Sequence, residues 1–218
     1  MKCSERILSS ALPLWEENFS HPFVRAIADG TLDLERFRFY IIQDHLYLMQ
    51  YAKLFALGLI KSADEADIRL FASLISDTLD TENAVHRDYL KTLGISPENI
   101  SMAKSSIITE SYTNYMLSVG FSQGVAEIAA AVLACSWSYK IIGDWCLKNM
   151  KAENRFFSPW IKEYTSASYN RSNDEIISFI DEKTSAYTDE QLKNIENIVL
   201  LCSRYELLFW DMAWKKEY

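Results

Sequence analysis

Glycine and proline are scarce, at 6 and 4 in 218 residues. That scarcity, together with the lack of strand-like alternation, argues against a sandwich or barrel built on tight turns. No proline, glycine or serine tract divides the chain, so residues 1–218 read as one domain with a sizeable core. Histidine is scarcer still, at positions 21, 45 and 86 only. Three histidines cannot supply the matching Glu-x-x-His motifs that a carboxylate-bridged two-metal bundle requires, so no metal is expected. The four cysteines, at 3, 135, 146 and 202, lack CxxC spacing, and no disulfide framework or zinc site follows from them. There is no concentrated Lys/Arg run, and 30 acidic residues outnumber 22 basic ones for a net charge of -8. This excludes a surface built for phosphate backbones or anionic lipid, so neither nucleic acid nor membrane is an expected partner. The first residues show no apolar signal-peptide core or small-residue cleavage site, and a reduced, cytoplasmic protein is expected.

What the chain does contain is apolar residues at helical spacing over most of its length, which predicts an all-α helical bundle. Residues 124–147, GVAEIAAAVLACSWSYKIIGDWCL, are apolar nearly all round and predict a central helix packed on several faces. Glu127, Lys140 and Asp144 interrupt this run, which favours a core helix over a membrane span. Its first part faintly resembles a helix-turn-helix, but no turn glycine interrupts it and its setting is too apolar and acidic for DNA. The first helix is expected over residues 4–19, bent or broken at Pro13. After a turn at Asp29-Gly30, Asp33 can cap a long second helix. Residues 64–93 predict one helix closed by Gly94, and residues 96–119 another. Pro159 suits the first turn of a helix, residues 173–184 predict a short one, and Asp189 is the expected cap of the last.

Chemistry-bearing residues lie on these helices. Asp44, Tyr47 and Tyr51 follow at spacings of three and four, so a carboxylate and two phenols share one face. Asp44 is flanked by Ile41, Ile42, Leu46 and Leu48, and a carboxylate in a core helix needs partners because burying it unpaired is costly. Glu206, four residues before Trp210, lies in a run of Leu200, Leu201, Leu207, Leu208 and Phe209 that should be buried. Cys135 and Tyr139 share one side of the central helix, as Trp160 and Tyr164 do on theirs. Glu82 and His86 are also four apart, a spacing that suits a ligand pair or an ordinary hydrogen bond. Taken singly, the thiol is an apolar filler and the carboxylates are members of structural ion pairs. Taken together, they raise the question of a site with tuned ionisation.

Five motifs in order, HPFVRAIADGTL, FYIIQDHLYL, CSWSY followed by an Ile-Gly, SPWIKEYTS and YELLFWDMAW, resemble the TenA family, also called thiaminase II or aminopyrimidine aminohydrolase. The resemblance spans essentially the whole chain. It implies a haem-oxygenase-like all-helical fold, a homotetramer, and a place in thiamin salvage without a cofactor. The implied reaction converts 4-amino-5-aminomethyl-2-methylpyrimidine to its hydroxymethyl counterpart, with cleavage of thiamin as a further activity. By the same resemblance Cys135 is the nucleophile and Glu206 the acid/base. Asp44 grips the pyrimidine amino group and ring nitrogen, Tyr47, Tyr112, Tyr139 and Tyr164 line the pocket, and His86 is its neighbour. Cys135 places the chain in the cysteine-bearing branch. The remaining cysteines read as structural. The alternatives left open are a regulatory or interaction protein of the same fold and a metal-dependent oxidase using Glu82 and His86.

Overall fold

The computed structural model describes residues 1–151 and 153–218, with side chains throughout except at 81–84. All regular structure among the described residues is helical. In chain order the helices are α1 (Cys3–Ser20), α2 (Pro22–Asp29), α3 (Leu34–Lys61), α4 (Glu65–Ser76), α5 (Asn83–Thr92), α6 (Pro97–Ser101), α7 (Ile107–Ser122), α8 (Val125–Asn149), α9 (Ser158–Tyr164), α10 (Ala167–Lys183) and α11 (Asp189–Lys215). A π-helical segment, Asp77–Glu82, joins α4 to α5.

The central helix α8 packs against α1, α2, α3, α7, α9, α10 and α11. Ala126, Ile128 to Ala134, Tyr139, Ile142 and Cys146 are all buried on it, the result expected of a helix apolar nearly all round. Its length and composition would suit a membrane span, yet most of its apolar stretch is buried inside the protein. Two of its interrupting charges answer each other, since Lys140 Nζ and Asp144 Oδ2 are 3.1 Å apart one turn on. The third, Glu127, accepts the otherwise unpaired Gly124 amide at 3.1 Å, as a capping box requires.

Several boundaries differ from the sequence pattern. Pro13 lies inside an unbroken α1. The stretch 64–93 is not one α-helix, because the π-helical segment inserts a wider turn between α4 and α5. Residues 96–119 split into the short α6 and the longer α7, which starts at a second cap where Ser106 Oγ accepts the Thr109 amide. Serine at that position offers a better helix start than continuing through the intervening loop. The helix expected at 173–184 begins earlier, at Ala167, under the Ser166 cap. Thr188, rather than Asp189, caps α11 through the Gln191 amide. On α11 Glu206, Phe209 and Trp210 are buried as expected. Leu201 and Leu208 are not: they are 37% and 42% exposed, because a seven-residue separation puts both on the face turned away from α8.

Two glycines fix the geometry that matters for the site. Gly30 ends α2 at φ 73°, a left-handed conformation that a side chain disfavours, and so turns the chain into α3. Gly143 sits where a Cβ would lie 2.9 Å from the Tyr164 Cβ. The missing side chain lets α9 approach α8 closely and brings Tyr164 beside Tyr139, with ring centroids 4.8 Å apart.

Candidate active site

The residues singled out above come from α3, α5, α7, α8, α9 and α11, and the fold gathers them in the interior. Asp44 and Glu206 are 5% and 3% exposed. Neither is isolated. Asp44 Oδ2 lies 2.6 Å from His86 Nε2, so a buried carboxylate from α3 meets the buried imidazole of α5. Tyr40, one turn before Asp44, places its hydroxyl within hydrogen-bonding reach of the same carboxylate. The Tyr40 and Tyr139 hydroxyls are 3.5 Å apart, and Trp160 Nε1 donates to Tyr40 at 3.3 Å. This chain of polar tips links Asp44 to the α8 and α9 aromatics.

Glu206 has different company. Its Oε1 accepts the Tyr112 hydroxyl at 2.7 Å, and the Cys135 thiol is also within hydrogen-bonding reach of it. Cys202, one turn before Glu206, bonds to Tyr112 in turn. The Tyr47 ring lies against Tyr112, with centroids 5.2 Å apart, and against Tyr51 at 5.4 Å. Cys135 is therefore not filler: its sulfur faces a carboxylate, and it is half-buried where the neighbouring residues of α8 are closed off.

Burial pushes the Glu206 carboxyl up to about 8, and nearby Asp44 adds to the rise, while the bonds from Tyr112 and Cys135 pull it back. At neutral pH this side chain is mostly protonated, a state from which it can donate. Burial likewise holds the Tyr40, Tyr47, Tyr112 and Tyr139 phenols well above the ordinary tyrosine value, with Asp44, Glu206 or both adding to the rise of all four. They are neutral hydrogen-bonding groups in a wall of aromatic surface.

A cavity opens beside Cys135 between α3, α8, α10 and the π-helical segment, with Tyr51 and Phe55 on its apolar side. Among the described residues no group of three His, Cys, Asp or Glu side chains could hold a metal ion. The Glu82 side chain, and with it the Glu82–His86 pairing, lies outside the described residues. The arrangement places a thiol, a carboxyl that holds its proton near neutral pH and a second carboxyl group within one aromatic enclosure.

All eight candidates, Cys135, Glu206, Asp44, Tyr47, Tyr112, Tyr139, Tyr164 and His86, belong to these two linked clusters. Sequence reasoning passed over Tyr40, although its position four residues before Asp44 puts it on the same helix face. Cys202, read as structural, bonds to the Tyr112 hydroxyl. Glu163 and Asn173, which line the cavity, gave no signal, because neither stands at a telling spacing from another candidate.

The chain is 40% identical over 216 residues to an aminopyrimidine aminohydrolase of Helicobacter pylori, covering 99% of this chain and all of that protein. It is 35% identical over 217 residues to an aminopyrimidine aminohydrolase of Bacillus subtilis, covering 100% of this chain and 92% of that protein. Among solved structures, a TenA homologue from P. horikoshii OT3 superposes with a TM-score of 0.88 at 25% identity over 99% of both chains. A domain with a heme oxygenase-like fold from Shewanella denitrificans superposes with a TM-score of 0.79 at 15% identity, over 97% of this chain and 92% of that one, a likeness of fold alone. The all-α fold is thus the haem-oxygenase-like one. Residues 8–216 match the model of the TENA/THI-4/PQQC family, and with the full-length relatives this settles that the chain belongs to that family.

Proposed function

We propose that this protein is a thiaminase II-type aminopyrimidine aminohydrolase of thiamin metabolism, working in the cytoplasm as a homotetramer on a small pyrimidine substrate. The observation that carries the reading is the Cys135–Glu206–Tyr112 cluster, a thiol and a raised-pKa carboxyl in contact inside an aromatic enclosure.

The difficulty of the reaction lies in the amine, a poor leaving group on a methylene beside an aromatic ring. Covalent catalysis divides the step. Glu206, as carboxylate, takes the Cys135 proton. The thiolate adds to the ring carbon next to the substituted one, and the protonated Glu206 delivers the proton to a ring nitrogen. The ring, now an enamine, expels the protonated aminomethyl nitrogen as ammonia and leaves an exocyclic methylene. Water adds to that methylene and gives its spare proton to the released ammonia, and the ring nitrogen returns its proton through Glu206 to the departing Cys135 sulfur, which restores aromaticity. The net change is amine plus water to alcohol plus ammonia. Proton transfer of this kind contributes about 10²–10⁴-fold. Cys135 sits mid-helix, without the help a helix N-terminus gives a thiolate, so Glu206 is the group that activates it.

Asp44 supplies recognition. A carboxylate accepts from the exocyclic amino group of an aminopyrimidine, and from the adjacent ring nitrogen when that nitrogen carries a proton, and the contact with His86 holds it in place. Tyr47, Tyr112, Tyr139 and Tyr164 give the flat ring aromatic surface and exclude water, which strengthens each polar contact inside. The test is release of hydroxymethyl pyrimidine from aminomethyl pyrimidine by the wild type and by Cys135→Ser. Wild-type release that Cys135→Ser abolishes is the expected result, and equal release by both would end the covalent mechanism. A regulatory protein of this fold would release none.

A further inference from the structure

The cavity beside Cys135 has two unlike halves. Tyr51, Phe55, Leu74 and Ile176 make one half apolar, while Glu163, Asp77, Ser136 and Asn173 make the other polar. The polar half is acidic, and among the described residues no lysine or arginine lines the cavity. Among the described residues no hydrogen bond or ion pair satisfies the Glu163 carboxylate. It stands partly buried, and burial raises its pKa while the charge of nearby His86 lowers it.

Two further groups wait for a partner. Ser136 Oγ and Asn173 Oδ1 are buried without a hydrogen bond, on residues that are 8% and 1% exposed. The Asn173 orientation is set by its Nδ2, which donates to the Tyr169 carbonyl at 3.1 Å, so the unpaired atom is an acceptor. Buried polar atoms are nearly always paired in native proteins. Two unpaired ones in the wall of a cavity that also holds a lone carboxylate describe a place for a positively charged donor. Ser136 follows the nucleophile directly in sequence, which ties this half of the cavity to the reacting centre. At the rim Ser172 Oγ donates to Asp77 Oδ2 at 3.3 Å, holding α10 against the π-helical segment.

We propose that Glu163, with Asn173, Ser136 and Asp77, forms a subsite for a cationic leaving group, and that Glu163 sets the enzyme's preference for substrates whose departing portion carries positive charge. The proposal rests on the aminohydrolase reading above. Both a protonated aminomethyl group and a thiazolium ring have this chemistry. A neutral alkoxy leaving group does not, and gains nothing from the carboxylate. An ionised Glu163 is favoured once a cation sits beside it, so binding and charge selection are one event.

The experiment measures KM and kcat of the wild type, Glu163→Gln and Glu163→Asp on aminomethyl pyrimidine, on thiamin and on methoxymethyl pyrimidine, whose leaving group is neutral. A charged hydrogen bond is worth roughly tenfold or more in affinity. Glu163→Gln should therefore raise the ratio of cationic-substrate KM to methoxymethyl-substrate KM by about tenfold, and Glu163→Asp should restore most of it. A rise confined to aminomethyl pyrimidine identifies the subsite as one for ammonium, and a rise confined to thiamin as one for thiazolium. An unchanged ratio overturns the proposal, as does an equal loss on all three substrates, which marks a merely structural glutamate. Asp77→Asn, at an exposed rim position, should move the ratio in the same direction by less and serves if Glu163→Gln fails to fold. Wild-type enzyme inactive on every pyrimidine would instead refute the aminohydrolase reading itself.

Discussion

The two buried carboxylates have unlike partners in similar surroundings. Asp44 and Glu206 are both almost wholly enclosed, and each sits among aromatic rings. Asp44 meets an imidazole 2.6 Å away, a partner that can carry positive charge. Among the described residues Glu206 meets a phenol and thiols, which are neutral donors, and its carboxyl rises to about 8. A buried carboxylate beside a potential cation is built to hold a ligand's donors in one geometry. One with neutral partners alone keeps its proton and gives it up at a cost small enough to be useful near neutral pH. The difference supports the proposed division, with recognition on the α3–α5 side of the enclosure and proton transfer on the α7–α8–α11 side.

The most damaging way to break this division is on the proton-transfer side. Cys135→Ser and Glu206→Gln should each lower kcat by at least about a hundredfold. Far-UV circular dichroism of the purified variants should match the wild type, and near wild-type hydrolysis by either would remove its assigned role. On the recognition side, Asp44→Ala should act mainly on KM, raising it about tenfold or more. An unchanged KM for aminomethyl pyrimidine would contradict the recognition role.

Ionisation sharpens the comparison further. The thiol cannot pass its proton to a carboxyl that is already protonated, so kcat/KM should fall as pH drops through an acid limb centred near 8. Tyr112 lowers the Glu206 value by its hydrogen bond and Asp44 raises it by its charge. Tyr112→Phe should therefore move the limb to higher pH, and Asp44→Ala should move what activity remains to lower pH. A limb that stays in place in both variants would mean that another group titrates. The smallest effect is on stability. Because the folded carboxyl holds its proton well above the ordinary glutamate value, the native state loses stability as pH rises from about 4.5 to about 8. Glu206→Gln removes that loss, so its Tm advantage over the wild type should grow across this range in a thermal melt. A constant difference would indicate that Glu206 has no unusual ionisation.

Much of this arrangement was legible along single helices. Asp44, Tyr47 and Tyr51 on one face, Glu206 with Trp210, and Cys135 with Tyr139 all follow from helical spacing, and the apolar neighbours of both carboxylates announced burial. The errors fell where a single helix carries too little information. Leu201 and Leu208 look like core in a run of leucines, but only packing tells which face of α11 meets α8. The π-helical turn at Asp77–Glu82 has no distinct apolar period, and Ser106 begins α7 inside what resembles one continuous helix. Glu163 and Asn173 became visible only as two walls of one cavity.

By itself the sequence determined the helical class, the central apolar helix, the acidic surface and the set of residues able to do chemistry, because each depends on composition or on periodicity within one element. The tertiary structure alone decided which of them meet. Helical spacing fixes the direction of a side chain about its own axis but not the distance between axes. That distance depends on close approaches such as Gly143 against Tyr164, and on which side chains fill the gap between helices. Thus the pairing of Asp44 with His86, and of Glu206 with Tyr112 and Cys135, is a property of the packed bundle.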